Sequence, residues 1–158
     1  MYVDSHLTAD WHQIPDHIKK LEAEGYDSAG TAEMNHDPFF PLMLAAEHSQ
    51  TIGVRTGIAV AFARSPMVLA NLGHDLNAYS KGRFTMGLGS QIRPHITKRF
   101  SMPWGAPAKQ MKELISAMRA IWANWYEGEP LKFEGEYYNH TLMTPAFSPQ
   151  DTEYGAPK

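Results

Sequence analysis

Ile52-Gly53-Val54-Arg55-Thr56-Gly57-Ile58-Ala59-Val60-Ala61 is the stretch on which the fold class turns. It is apolar at most positions, as expected of a strand covered on both faces, and such strands belong to parallel sheets. A helix-start device follows: Ser65 as N-cap and Pro66 in the first turn, where a missing N–H costs nothing. Val68, Leu69, Leu72, Leu76 and Tyr79 then recur at helical spacing up to Lys81-Gly82. Strand, turn and amphipathic helix make one βα unit.

The same alternation extends in both directions. Upstream, Tyr2 to Leu7 reads as a short strand, and a helix from about Pro15 keeps Ile14, Ile18 and Leu21 in step before Gly25, its C′ residue. A second strand covers about Asp27 to Glu33. Its helix opens with Asp37 as N-cap and Pro38 at the first helical position, and runs to about Gln50. Downstream, Arg83 to Leu88 is a fourth strand that feeds a polar, proline- and aromatic-rich loop from Gly89 to about Ala106. A helix from Pro107 to about Gly128 carries Met111, Leu114, Ile115, Met118, Ile121, Trp122 and Trp125 on one face, the strongest helical period in the chain. Leu131 to Tyr138 suggests a small hairpin turning at Glu134-Gly135, and the tail from Pro145 to Lys158 is turn-rich. Alternating strands and helices predict an α/β fold built on a parallel sheet.

The bulk numbers narrow the function. The 158 residues suffice for one domain with a real core. Fourteen basic and 17 acidic residues are well mixed, net −3, with no basic stripe for nucleic acid and no polybasic arm for a membrane. The absence of cysteine excludes disulfides and thiolate zinc sites and fits a reducing compartment. No cationic segment followed by an apolar run opens the chain, so a cytoplasmic location is expected. The eight histidines do not fall at metal-ligand spacing, and there is no HExxH, no GxSxG elbow and no GxxxxGK loop. Hard chemistry would have to come from a bound cofactor, acting on a small molecule.

Three stretches together resemble the luciferase-like monooxygenase superfamily and, within it, the oxidoreductases that use coenzyme F-420, an 8-hydroxy-5-deazaflavin. The most specific is Thr56-Gly57-Ile58 through Arg64-Ser65-Pro66, then Ser80-Lys81-Gly82-Arg83-Phe84, then Gly87-Leu88-Gly89. The second is Thr31-Ala32-Glu33-Met34-Asn35-His36-Asp37-Pro38, and the third is Phe133-Glu134-Gly135-Glu136-Tyr137-Tyr138. The resemblance implies a TIM (β/α)8-barrel type of fold, of which this chain carries about four N-terminal βα units plus the small hairpin. It implies one domain over 1–158, cut short on its C-terminal side. Four units cannot close an eight-stranded barrel, so two sheet edges and one apolar strand face are expected to be open, and a homo-oligomer through those edges or through helices is one way to cover them.

The resemblance also assigns roles. It places a non-proline cis peptide at Gly57-Ile58, with Gly57, Ile58 and Ala59 forming a bulge behind the central ring; on the residues alone, relief of crowding in a tight strand is an equal reading of Gly57. His36 and Glu33 are the catalytic candidates at the mouth of the barrel. A surface histidine and a partly buried structural acid are the plain alternatives, and Asp37 is at least a helix cap. Gly89, Ser90 and Gln91 are candidates for the cofactor's ring edge. The Gly-x-Gly of Gly87 and Gly89 lacks the rest of a dinucleotide fingerprint, and close approach of a flat ring to bare backbone explains it better. Arg93 and His95 are candidates for the substrate or an anionic tail, and Met102, Pro103 and Trp104 for an apolar lid. Arg64 would pair with an acid such as Asp37 or contact an anion. The implied activity is hydride transfer between coenzyme F-420 and a small organic substrate. FMN with dioxygen is the enzymatic alternative, and a non-catalytic half barrel binding a flavin or a partner chain is the other.

Overall fold

A computed structural model of the chain describes residues 1–7 and 10–158. Strand β1 is Asp4–His6 and helix α1 is Ile14–Ala23, which buries Ile14, Ile18 and Leu21 as their spacing predicts. Gly25 follows at a φ of +81°, the left-handed conformation that ends helices cheaply only at glycine. Strand β2, Ser28–Thr31, is buried throughout. Helix α2 is Phe39–Glu47; Pro38 precedes it rather than opening it, and the Asp37 carboxylate accepts the Phe39 N–H at 2.8 Å, so the predicted cap acts one residue further along.

The decisive stretch is not one strand. Strand β3 is Gly53–Thr56, the Gly57–Ile58 peptide is cis, β4 is Ala59–Val60, and a single 3-10 turn follows at Ala61–Ala63. The backbone partner changes at the break. Gly57 N–H donates to the Thr31 carbonyl at 2.6 Å, the Ile58 carbonyl accepts from Glu33 N–H at 3.0 Å, and Ala59 N–H donates to the Gly87 carbonyl at 2.8 Å. Helix α3, Pro66–Tyr79, starts where expected, with the Ser65 hydroxyl accepting from Val68 N–H at 3.3 Å. Its predicted stripe is corrected in part: Leu69 and Leu76 are buried, but Val68 and Tyr79 are 46% and 45% exposed. The predicted fourth strand is likewise interrupted, into β5, Phe84–Thr85, and β6, Leu88–Gly89. Helix α4 is Pro107–Glu127, and Gly128 closes it at a φ of +73°. Strands β7, Phe133–Glu134, and β8, Asn139–His140, form the hairpin.

The chain divides into two compact units. One comprises Met1–Ala59, Gly73–Leu88 and Ala156–Lys158. In it β1, β2, β3 and β5 form a four-stranded parallel sheet in chain order, with Ser28 between Asp4 and Gly53, and Val54 beside Phe84. Alternation along the strands sends Ala29, Val54 and Phe84 to the face covered by helices, where Phe84 meets Phe39 of α2 edge-on at 6.3 Å. The opposite face carries Asp4, His6, Ser28, Gly30, Arg55 and Thr85. That face was expected to be apolar; it is polar, because the apolar strand residues all point to the helices. Arg55 lies across it in an ion pair with Asp4, which also accepts the Ser28 hydroxyl at 2.5 Å. Just after β5, Met86 N–H donates to the Lys158 carbonyl at 2.8 Å.

Arg83, from the Ser-Lys-Gly-Arg-Phe turn, donates to the Ala46 and Ser49 carbonyls at the end of α2, to the Ser49 hydroxyl and to the Ile52 carbonyl. It thereby satisfies the orphan acceptors of a helix C-terminus. The Glu22 carboxylate takes the N–H groups of Gln50, Thr51 and Ile52 in the same turn. Burial pushes its pKa up, but those backbone bonds outweigh it and hold the group at about 2.

The other unit comprises Val60–Leu72 and Gly89–Gly155. Its core is Ala70, Ile121, Trp125 and Leu131, with Met67, Trp122 and Met143 against it. The hairpin turns later than predicted, over Gly135 to Tyr138, because Glu113 of α4 gathers the N–H groups of Glu136, Tyr137 and Tyr138 at 3.1, 2.7 and 2.8 Å. A Cβ on Gly135 would stand 2.0 Å from the Glu113 carboxylate. The stretch predicted as open loop after β6 contains a π-helical turn, His95–Arg99, anchored by fully buried Ile96.

Candidate functional site

In the sheet-bearing unit the candidate residues collect at the C-terminal ends of β1, β2 and β3. Parallel-sheet enzymes place their chemistry there, because the loops leaving those ends are free to vary. Glu33, 8% exposed, is tied by its own N–H to the carbonyl of Ile58. Gly57, Ile58 and Ala59 are therefore held from both sides, by Thr31 and Glu33 of the β2 end and by Gly87 of the β5 end. The two glycines differ in what surrounds them. A Cβ on Gly57 would lie 2.9 Å from Nη1 of Arg55, and one on Gly87 would lie 2.2 Å from the Thr56 carbonyl oxygen. The close passage of the β3 backbone explains Gly87 without a ring, whereas the neighbour of Gly57 is the movable end of the Arg55 side chain.

His36 is solvent-exposed and stands beside Trp11, whose ring it meets edge-on at 5.7 Å. Trp11 is also 6.4 Å from Phe40. Trp11 and His36 line a cleft of about 140 Å³ together with His6, Leu7, Thr31 and Asp37. Sequence reasoning missed Trp11 and His6. The available signal was positional: both follow or end β1, as His36 follows β2. Trp11 is set by a 3-10 turn, Trp11–Gln13, in which Asp10 accepts the His12 N–H at 3.0 Å and the Gln13 amide at 2.7 Å.

In the second unit Gly89, Ser90 and Gln91 form the start of the loop after β6. Gln91 has a φ of +59°, its side-chain oxygen accepts the Ile92 N–H at 3.3 Å, and the Ser90 hydroxyl donates to the Gln91 carbonyl at 3.1 Å. Arg93 and His95 are exposed, with His95 opening the π-helical turn. Trp104 packs edge-on against Phe62 at 5.8 Å and lines a cavity of about 210 Å³ with Arg64, Gln110, Tyr137 and Tyr138. Gln110 is buried and braces this wall: its oxygen accepts the Gly105 N–H at 3.3 Å and its amide donates to the Tyr138 hydroxyl at 3.1 Å. Burial pushes the Tyr138 pKa up against the opposing Gln110 bond. Arg64 donates to the Val60 carbonyl at 3.1 Å. Among the described residues no cluster of three or more His, Cys, Asp or Glu side chains could hold a metal, and no helix is long and apolar enough to cross a membrane.

Comparison with known proteins accounts for this arrangement. Residues 2–157 match the luciferase-like monooxygenase family model. An uncharacterized protein of Mycobacterium tuberculosis is 58% identical over 138 residues, which are 87% of this chain and 41% of that protein. The F-420-dependent glucose-6-phosphate dehydrogenase of Intrasporangium calvum is 27% identical over 142 residues, covering 80% of this chain and 41% of that one. Among solved structures, the oxygenating constituent of the 3,6-diketocamphane monooxygenase of Pseudomonas putida, in complex with FMN, superposes with a TM-score of 0.75 at 16% identity, over 92% of this chain and 46% of that one. The chain thus spans about two fifths of the length of the curated relatives it matches. Its parallel βα units are those of the barrel folds it superposes on, and it covers about half of such a structure. By the match along its whole length and the order of its strand ends, the chain belongs to the luciferase-like monooxygenase family.

Proposed function

We propose that this chain provides the ring-supporting half of an oxidoreductase that transfers a hydride between coenzyme F-420 and a small organic substrate at the C-terminal ends of the strands. The observation that carries the reading is the bulge at Gly57, Ile58 and Ala59, whose three backbone bonds to Thr31, Glu33 and Gly87 fix it without any ligand. A support held in advance is what binding a rigid flat ring requires, since no ordering remains to be done on association. The residues present fit such a ring: an uncharged bulge of glycine, isoleucine and alanine, a buried carboxyl at Glu33 and an imidazole at His36.

When bound, the ring supplies the centre that gives or takes the hydride. Gly57, Ile58 and Ala59 would back it. His36 would hold the substrate's hydroxyl proton at an imidazole nitrogen, and Glu33 would orient a polar group of ring or substrate. The F-420-dependent relative supports the deazaflavin, and the FMN complex among the structural neighbours supports the second reading, an FMN-dependent monooxygenase.

Titration of the purified chain with coenzyme F-420 and separately with FMN, following ring fluorescence while light scattering reports the mass, tests both. Saturable micromolar binding of F-420 in preference to FMN is expected, weakened at least about tenfold in Gly57→Val, where a side chain would crowd Arg55. Binding of neither ring by a folded species would leave a scaffold without the chemistry.

A further inference from the structure

The cleft beside Trp11 has a chemistry of its own. Its apolar walls are Leu7, Trp11 and Pro41, and its hydrogen-bonding groups include the imidazoles of His6 and His36. The one charged carboxylate, Asp37, is engaged by the Phe39 N–H at the start of α2. No lysine or arginine lines the cleft among the described residues. A phosphate or carboxylate entering here would find a like charge and no lysine or arginine to offset it, at a cost that grows as water is excluded. At about 140 Å³ the cleft is well below the roughly 300–1,000 Å³ of drug-sized sites, so it takes a compact molecule.

Trp11 is built to face that molecule. The residue is 37% exposed, although aromatic burial is strongly favourable. It is held open by the Asp10-capped turn and by His36 and Phe40 at its edges. A partly exposed indole and two imidazoles in the lining of one cleft suit an apolar body carrying one oxygen. The indole meets the carbons, and a ring N–H or nitrogen meets a hydroxyl or carbonyl.

We propose that the cleft between the ends of β1 and β2 is the subsite for the uncharged, apolar body of a small alcohol or ketone, with Trp11 as its specificity-determining wall. The proposal rests on the oxidoreductase reading above, and it separates this chain from the glucose-6-phosphate dehydrogenase of Intrasporangium calvum.

The test needs no cofactor, so its failure is distinct from failure to bind a ring. Cyclohexanol, cyclohexanone and glucose 6-phosphate are titrated into the isotope-labelled chain, and amide, indole and imidazole shifts are followed by NMR. Saturable shifts centred on Leu7, the Trp11 indole and the His36 ring are expected with cyclohexanol or cyclohexanone and not with glucose 6-phosphate. Trp11→Ala should weaken that binding about tenfold, and Trp11→Phe should largely restore it. Circular dichroism identifies a variant that has merely unfolded, in which case Trp11→Phe and the wild-type shift map carry the result. Saturable binding of glucose 6-phosphate at these residues, no shift with either uncharged probe, or uncharged-probe binding indifferent to Trp11→Ala in a folded chain would each overturn the proposal.

Discussion

Two glutamates, one in each compact unit, gather three consecutive backbone N–H groups on one carboxylate. Glu22 takes those of Gln50, Thr51 and Ile52, and Glu113 takes those of Glu136, Tyr137 and Tyr138. The local device is the same, but what it holds differs. The turn on Glu22 leads straight into β3, with a strand hydrogen-bonded on either side, and Arg83 grips the Ile52 carbonyl from the other direction. The turn on Glu113 joins two strands of two residues each. A carboxylate that collects backbone donors is therefore worth what its turn connects, and the two sites should respond differently to the same substitution.

The largest expected effect is at Glu22. Glu22→Gln removes a charged acceptor from three N–H groups and should lower global stability by about 1.5 kcal/mol at neutral pH, a value held down by water at the turn. Because the folded pKa is lowered from 4.5 to about 2, the stabilisation is fully present above 4.5 and is lost as pH falls from 4.5 toward 2. Urea unfolding at pH 7 and pH 3 checks both points. The gap between wild type and Glu22→Gln should narrow at the lower pH, and a constant gap would remove the charge from the explanation.

Glu113→Gln should act locally. We expect a global loss of about 0.5 kcal/mol, with amide exchange at Glu136, Tyr137 and Tyr138 faster by about tenfold. Native-state hydrogen exchange resolves the two. A global loss as large as that of Glu22→Gln would mean that the hairpin unfolds with the rest and would erase the contrast between the turns.

Neither glutamate was visible in the sequence, and the reason is distance along the chain. Glu22 serves residues 28 to 30 positions away and Glu113 residues 23 to 25 away, with no periodicity to mark the relation. What depends on near neighbours was legible. The Ser65-Pro66 start of α3 and the Gly25 and Gly128 stops stand as read, and of the predicted α4 face Leu114, Met118, Ile121 and Trp125 are buried while Met111, Ile115 and Trp122 are half-buried. The break after Thr56 was not, because an apolar run looks the same whether its partners stay or change, and here they change from β2 to Gly87. At the candidate site, Glu33, His36 and the Gly57 bulge were reachable from their strand-end positions. Trp11 was not, since a short turn ahead of α1 carries no hydrophobic period.

The same limit hid the polar face of the sheet, and that face supplies the smallest expected effect. Asp4 and Arg55 are 25% and 35% exposed in their side chains, between a surface pair and a buried one. A surface pair contributes at most about 1 kcal/mol, whereas breaking a buried one costs about 3–5 kcal/mol because a charge is left stranded in low dielectric. A double-mutant cycle of Asp4→Asn and Arg55→Gln, read by urea unfolding at low and high salt, should give a coupling below about 1 kcal/mol that shrinks as salt is added. A salt-insensitive coupling of about 3 kcal/mol would mean that water does not reach the pair in solution. The polar face would then be covered, as the interior of a closed barrel is covered, and light scattering on the same sample would show whether a second copy of the chain does the covering.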